Sequence, residues 1–193
     1  EMILQILETS QQARKNSSKI MSEAFKSISE LSGAQLLKSK GKLVDCSSND
    51  ATRNELFIVE GDSAAGPVSQ ARSSKYQAFL ALKGKPMNVI KKANQSKIFN
   101  NEEIKSLAYA LGGLGDDFKI EKLKYQKIII LADADLDGFH ISALMMTFFY
   151  HFYPEIIKAG YLFIGVAPLY KISYSKTKYE WAWNDADLQP KID

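Results

Sequence analysis

The stretch at residues 127–138, KIIILADADLDG, decides the fold and the site that we predict for this 193-residue chain. Its aliphatic residues 128–131 are typical of a buried strand. The strand is followed by three aspartates at alternate positions and a glycine: Asp133, Asp135, Asp137 and Gly138. In extended backbone, alternate side chains share one face, about 6.6 Å apart at a rise of roughly 3.3 Å per residue. Three carboxylates placed in this way repel one another, and a hard divalent cation, first of all Mg²⁺, would relieve the repulsion. Gly138 would permit a sharp turn or a close approach to a ligand.

Two other interpretations of these aspartates compete with a metal site. The simplest is a solvated acidic turn after the strand, because Asp-Gly turns are common. The other is a calcium-binding EF-hand loop, which matches the first six positions but needs a glutamate where this chain has Leu144. It also needs a flanking helix, whereas four aliphatic residues precede Asp133. We reject the EF-hand and predict a catalytic Mg²⁺ site at the carboxyl end of a parallel strand, where α/β active sites generally lie.

Composition limits the class of protein. A content of 46% hydrophobic and 24% charged residues is ordinary for a globular α/β domain. The single cysteine, Cys46, excludes an internal disulfide and a cysteine zinc site, and only His140 and His151 could supply imidazole ligands. No apolar run reaches the ~18 residues of a membrane span and no signal peptide is recognisable, so we expect a cytoplasmic protein with no membrane partner. Because the chain begins at Glu1, we expect a piece of a longer protein.

A basic band precedes the aspartates. Residues 63–101 contain no acidic residue and seven basic ones: Arg72, Lys75, Lys83, Lys85, Lys91, Lys92 and Lys97. Such a band suits a polyanion whose phosphates the lysines neutralise, although a solvated lysine-rich face is the alternative.

A second strand is predicted at residues 55–59, directly before the sequence EGDSAAG at residues 60–66. A carboxylate at a strand end, a glycine turn and small residues opening a helix allow the backbone to approach a phosphate closely. If this strand lies parallel and adjacent to residues 128–131, Glu60 and Asp133 meet at one edge of the sheet.

The remaining pattern predicts an α/β fold with a mainly parallel sheet flanked by helices, an N-terminal helical arm and a C-terminal hairpin. We predict strands at 76–82 and 161–166, a basic turn at 83–86, helices at 89–95, 101–111 and 139–158, a helix stop at 111–117, and a hairpin of 169–174 with 178–183. The helix at 139–158 is apolar nearly all round, which predicts a buried helix, and Pro154 is expected to bend or end it. Asn100 or Asn101 should cap the helix at 101–111. The predicted division is a helical arm at 1–40, a metal-binding domain at 41–174, and a hairpin end with a truncated extension at 175–193.

The motifs EGDSA at 60–64 and DADLDG at 133–138 together resemble the Toprim signature. More specifically, the chain resembles the Toprim region of the B subunit of bacterial type IIA DNA topoisomerases. Further stretches that carry the resemblance are GKL at 41–43, LKGK at 82–85, TFFY at 147–150 and PLYK at 168–171. The resemblance implies a Toprim fold in part of an ATP-hydrolysing isomerase that passes one DNA duplex through another.

The same resemblance implies the roles of the carboxylates. Glu60, Asp133, Asp135 and Asp137 would hold catalytic Mg²⁺ for cleaving and resealing double-stranded DNA, with Mn²⁺ or Ca²⁺ as substitutes in binding. Glu60 and Asp133 would bind the metal at the scissile phosphate, Asp135 would share a second metal with Asp133, and Asp137 would support the site or move protons. The sequence does not decide whether one metal ion or two are bound. The nucleophile would be a tyrosine of the partner A subunit in an A2B2 assembly, since none of the nine tyrosines here has a recognisable nucleophile context.

Contacts with DNA and quinolone-type drugs are implied at seven positions: Asp62, Ser63, Arg72, Lys83, Gly84, Lys85 and His140. Two stretches depart from the family pattern, Pro67-Val68 after the first motif and Pro86-Met87 after the basic turn. Residues 69–72, 130–132 and 183–185 resemble the topoisomerase IV member of the family more than gyrase, which is the alternative. We expect the protein to work at the nucleoid, and the isolated chain to bind Mg²⁺ weakly without relaxing or decatenating DNA.

Two functions of other classes are alternatives to this interpretation. A phosphatase with Asp133 as the nucleophile of a DxD motif predicts threonine or valine at position 137, and Asp137 opposes it. A non-catalytic DNA-binding module is compatible with the basic band but leaves the four carboxylates unexplained.

Overall fold

A computed structural model describes residues 43–83, 86–89, 101–113 and 118–192, apart from the side chain of Asp62. Some predictions lie outside these residues: the helical arm at 1–40, nearly all of the helix at 89–95, and the contacts of Asp62, Gly84 and Lys85.

A five-stranded sheet organises the described residues, in the order β1-β3-β2-β4-β5. Its strands are β1 (Leu43–Val44), β2 (Glu55–Glu60), β3 (Gln77–Leu82), β4 (Lys127–Leu131) and β5 (Leu162–Ile164). β2 pairs in parallel with both β3 and β4, and β4 pairs in parallel with β5, whereas the two-residue β1 runs antiparallel to β3. The predicted parallel pairing of the two carboxylate-ending strands is confirmed, because Val59 lies opposite Leu131.

Helices join these strands: α1 (Gly61–Ala71), α2 (Glu102–Leu111), a 3₁₀ turn (Ile120–Lys122), α3 (Leu136–Phe152) and α4 (Pro154–Lys158). The ends of α2 follow the sequence prediction. The Asn101 side chain accepts hydrogen bonds from the N–H groups of Glu103 (2.9 Å) and Ile104 (3.1 Å), which would otherwise lack partners. Gly112 ends the helix with φ at +80°, a conformation that glycine adopts without steric cost.

The central strands β2 and β3 are largely buried on both faces, as strands of parallel sheets usually are. Alternation along β2 sends Leu56 and Ile58 into the larger cluster, while Val59 joins Phe79 in a smaller one. Burial of each such side chain contributes about 1.5–3 kcal/mol. The two clusters therefore hold the carboxyl ends of β2 and β4 in a fixed frame.

The prediction of a buried helix after the aspartates is only partly confirmed for α3. Phe148 and Phe149 are buried in the larger cluster, but Phe139 and Tyr150 are 66% and 73% exposed. An all-apolar sequence cannot show which side of a helix the sheet covers. The helix ends at Phe152, and Pro154 begins α4 at a position where its missing N–H has no cost.

The predicted C-terminal hairpin is confirmed. It consists of β6 (Tyr170–Ser173) and β7 (Tyr179–Ala182), which pair antiparallel, and it is followed by an unpredicted helix, α5 (Asp185–Ile192). The domain limits at 40 and 174 remain predictions. Across residues 43–192, in the parts that the structure describes, no helix is long and apolar enough to cross a membrane.

Candidate metal and DNA site

Glu60 and Asp133 meet at the carboxyl edge of the sheet. Glu60 is the last residue of β2, and Gly61, with φ at +74°, turns the chain into α1. Asp133 follows the end of β4 by two residues. Both residues line one cavity of about 500 Å³, together with Ser63 of α1. The predicted convergence of these two residues on one edge is therefore observed.

The other two aspartates are positioned by the start of α3. Asp135 is the N-terminal cap of the helix, and its carboxylate accepts a hydrogen bond from the N–H of Gly138 at 2.7 Å. Asp137 lies in the first helical turn. The expectation that all three aspartates share one face of extended backbone is therefore wrong for Asp137, because capping by Asp135 starts the helix at Leu136.

Gly138 allows this first turn to pack against the aspartate loop. A β-carbon at position 138 would lie 2.0 Å from the carbonyl oxygen of Asp133 and 2.9 Å from its nitrogen. Real β-carbons essentially never approach an atom closer than 3.0 Å. The expected close approach thus exists, but the partner is the backbone of Asp133.

The donor chemistry fits a hard cation. Within the described residues, no group of three or more histidine, cysteine, aspartate or glutamate side chains is arranged to hold a metal ion. Mg²⁺ does not need such a cage, because it is usually held by one or two carboxylates, with water and substrate phosphate completing its shell. Glu60 and Asp133 on one cavity supply carboxylates of this kind. Two carboxylates on one cavity are thus compatible with a divalent metal ion.

The basic residues divide between two ends of the sheet. Lys83 directly follows Leu82, which lies opposite Glu60, so Lys83 is at the carboxyl edge. His140 is exposed on α3, near its start.

Arg72, in contrast, is at the far end of α1, whose 11 residues span about 16 Å. Its guanidinium donates hydrogen bonds to the carbonyl oxygens of Asp45 and Gln77. The structure brings Ser63 and Lys83 to the edge with Glu60, and it does not bring Arg72 there.

The segment after β5 forms a wall of the cavity that the sequence did not reveal. Gly165, Val166 and Ala167 line the cavity, and the N–H of Gly165 donates to the carbonyl oxygen of Ile130 at 2.8 Å. A β-carbon at Gly165 would lie 2.2 Å from Cδ2 of Leu131. A glycine at the end of an apolar strand was the available signal, since such glycines mark close backbone approach.

Pro67 and Val68, which depart from the family pattern, line the same cavity. Pro67 lies inside α1, beyond the first turn where proline is best tolerated.

A second polar cluster, around Asp45, lies away from this edge. The Asp45 carboxylate accepts hydrogen bonds from Lys124 Nζ (2.7 Å), the Tyr125 hydroxyl (2.6 Å) and the Cys46 N–H (2.7 Å). Burial raises the pKa of Asp45, but these hydrogen bonds outweigh burial and hold the pKa below its ordinary value. Burial and the Asp45 carboxylate raise the pKa of Tyr125. The cluster ties β1 to the segment before β4 and is structural.

Comparison with known proteins gives one family and a set of close relatives. A family model described as "Toprim domain" matches residues 55–165. The DNA gyrase B subunit of Clostridium acetobutylicum is 51% identical over 150 residues, which are 77% of this chain and 23% of that protein. The DNA gyrase B subunit of Halalkalibacterium halodurans is 48% identical over 172 residues, 86% of this chain and 27% of that protein. The type 2 topoisomerase B subunit of Aquifex aeolicus is 50% identical over 137 residues, 70% of this chain and 17% of that protein. The chain thus spans between 17% and 27% of the length of these relatives.

Proposed function

Because this chain belongs to the Toprim domain family, whose match covers more than half of it, we propose that it is the Mg²⁺-dependent DNA cleavage and religation module of a type IIA topoisomerase B subunit. The observation that carries the proposal is the placement of Glu60 and Asp133 on one cavity at the carboxyl ends of adjacent parallel strands.

In the proposed reaction, this chain positions a scissile phosphate and a partner subunit supplies the nucleophile. A tyrosine oxygen of the A subunit would attack the phosphorus, and the bond to the 3′ oxygen would break. Glu60 and Asp133 would hold Mg²⁺, which polarises the phosphate and stabilises the leaving 3′ oxygen. Lys83, at the same edge, would attract the DNA backbone.

The other aspartates have narrower proposed roles. Asp135 already gives one carboxylate oxygen to the N–H of Gly138, so its second oxygen would reach a second metal ion if two are used. Asp137, in the first turn of α3, would support the site or move a proton. Ser63 and His140, with Asp62, Gly84 and Lys85, remain proposed DNA or drug contacts. We do not propose Arg72 as a DNA contact, because its guanidinium donates hydrogen bonds to the backbone carbonyl oxygens of Asp45 and Gln77.

The intact enzyme is proposed to be an A2B2 assembly that couples ATP hydrolysis to passage of one duplex through another in the bacterial cytoplasm. Relatives that are named as gyrase make gyrase a candidate. Residues 69–72, 130–132 and 183–185 favour topoisomerase IV, so we propose decatenation over negative supercoiling. The isolated chain is proposed to lack strand-passage activity.

Reconstitution tests this proposal. The chain, within its intact B subunit, is combined with the A subunit, Mg²⁺ and ATP, and supercoiled and linked circular DNA are supplied. We expect strand passage by the wild type and its loss in Glu60→Ala and Asp133→Asn. The Glu60 side chain makes no capping hydrogen bond to α1, so its replacement removes no cap from that helix. Glu121→Ala, an exposed carboxylate in the 3₁₀ turn, is the matched control and should keep full activity.

The outcomes separate the candidate functions. Decatenation without negative supercoiling would identify topoisomerase IV, and negative supercoiling would identify gyrase. Full strand passage by both site variants would leave a DNA-binding scaffold as the better account.

A further inference from the structure

The open face of the C-terminal hairpin, formed by Lys171, Ser173, Tyr179 and Trp181, has no role in the proposed cleavage site. Lys171 lies opposite Trp181, and Ser173 lies opposite Tyr179, so the four side chains occupy two neighbouring rungs on one face. The Lys171 ammonium is 4.3 Å from the centre of the Tyr179 ring and 5.7 Å from that of Trp181, which places the lysine over both rings. The four residues are therefore one continuous surface.

The opposite face of the hairpin is partly covered by α5. Ala182 is fully buried, and the Tyr170 hydroxyl donates to the Asp185 carboxylate on α5. Lys191 of α5 donates to the carbonyl oxygen of Trp181 at 2.8 Å and pairs with Asp187. Because α5 contacts the opposite face of the hairpin, Tyr179 and Trp181 face solvent and are 49% and 46% exposed.

The charge on this hairpin is one-sided. Residues 170–183 contain three lysines, Lys171, Lys176 and Lys178, and one acidic residue, Glu180. Glu180 lies opposite Ile172, and Lys178 directly precedes Tyr179, so both belong to the opposite face. The open face offers an ammonium, two hydroxyls and an indole N–H, and it carries no carboxylate. Lysine, serine, threonine and tyrosine side chains are common partners of DNA phosphates, and a two-stranded ribbon fits the major groove of a duplex.

We propose that the open face of the hairpin is a second contact for duplex DNA, in which Lys171, Ser173 and Tyr179 bind the phosphate backbone away from the cleavage site. The inference rests on the proposed function only for the choice of DNA as partner. On binding, the Lys171 ammonium exchanges its position over the two rings for a phosphate. The contact carries no sequence information and needs no metal ion.

The chain carries its own probe for this contact. Its only two tryptophans, Trp181 and Trp183, lie in or next to β7, so intrinsic tryptophan fluorescence reports on the hairpin. The full chain is titrated with a 30-base-pair duplex in EDTA, and a Trp183→Phe variant isolates the signal of Trp181. We expect a saturable change in emission. Unchanged emission at duplex concentrations that saturate binding would overturn the proposal.

Affinity is measured in parallel by fluorescence anisotropy of the labelled duplex from 50 to 300 mM salt. Each lost phosphate contact should weaken binding about five-fold at 0.15 M salt and lower the slope of log affinity against log salt by about 0.9. We expect this effect for Lys171→Gln, whereas Lys178→Gln, which removes the same charge from the opposite face of the hairpin, should show no such effect. Lys122→Gln, which removes the same charge from an exposed position in the 3₁₀ turn, should change neither quantity. Equal affinity and slope in all three variants would contradict the proposal.

Three further measurements distinguish duplex DNA from a single strand, from a protein partner and from the cleavage site. Tighter binding of a 30-nucleotide single strand would overturn the duplex assignment in favour of base stacking. If Lys171→Gln binds DNA normally but the intact protein that carries it no longer associates with its A subunit, the face is a protein interface and the proposal is wrong. Glu60→Ala should leave the fluorescence change intact. Loss of cleavage in Glu60→Ala together with normal DNA binding by Lys171→Gln would refute this inference alone, and the reverse pattern would refute the proposed function alone.

Discussion

Replacement of Gly138 by alanine should damage the aspartate loop more than it damages the fold. The new β-carbon would lie 2.0 Å from the Asp133 carbonyl oxygen, against the 3.4 Å at which ordinary contact begins. Because the obstructing atom belongs to the backbone, either Asp133 or the first turn of α3 must move. Overpacking usually destabilises a protein by about 1–3 kcal/mol, and a backbone clash belongs at the upper end of this range. The higher helix propensity of alanine offsets about 1 kcal/mol of this loss. We expect a net loss of about 2 kcal/mol in the free energy of unfolding, which lowers the melting temperature by roughly 4–8 °C.

Ala143→Gly supplies the matched control for this prediction. Ala143 is exposed on α3, and glycine there should cost about 1 kcal/mol through helix propensity alone. Urea denaturation measures both stabilities, and cleavage of supercoiled DNA by the reconstituted enzyme measures the site. Gly138→Ala should lose cleavage at temperatures where it is fully folded, whereas Ala143→Gly should keep it. Wild-type stability and cleavage in Gly138→Ala would contradict the inference that α3 packs closely against the backbone of Asp133.

The remaining predictions concern stability. Because the pKa of Asp45 is depressed, its hydrogen bonds stabilise the fold above the ordinary pKa of about 3.9, and this stabilisation is lost as the pH falls through the lower pKa of the folded state. Asp45→Asn should therefore be less stable than wild type in urea at pH 7, and the difference in stability should disappear below about pH 4. A difference that does not depend on pH would contradict this prediction. Asn101→Ala removes the cap of α2 and should lower the free energy of unfolding by about 1 kcal/mol, whereas Asn101→Asp should change it little. Equal thermal stability of wild type and both variants would refute the capping role. The buried Tyr153 hydroxyl donates to the carbonyl oxygen of Gly113 at 2.8 Å, so Tyr153→Phe should cost about 1–3 kcal/mol by leaving that acceptor unpaired, and an unchanged urea midpoint would show that another donor replaces it.

The two strands that carry the candidate carboxylates could be predicted because their sequence signals are local. The apolar runs before Glu60 and Asp133 identify β2 and β4, and the carboxylates that follow them mark the edge where parallel strands end. The cap at Asn101 is local as well, since asparagine before a helix satisfies N–H groups within three residues.

What sequence reasoning missed depends on contacts between distant residues. β1 is only two residues long and exists through pairing with β3, some 35 residues away. The exposure of Phe139 follows from which side of α3 the sheet covers, and no apolar pattern encodes that. Asp137 was misplaced because two local rules compete there, and capping by Asp135 overrides the extended spacing of the strand. Gly165 joins the cavity because β5 packs beside β4.

The central claim is that Glu60 and Asp133 jointly hold a divalent metal ion, and Mn²⁺ binding measured by electron paramagnetic resonance tests it most directly. Mn²⁺ is titrated into the full chain, into Glu60→Ala and Asp133→Asn, and into the Glu121→Ala control, with thermal melts to verify folding. The account predicts that wild type and control bind Mn²⁺, that Mg²⁺ competes for it, and that each site variant loses it while remaining folded. Wild-type Mn²⁺ binding in both folded site variants would contradict the account.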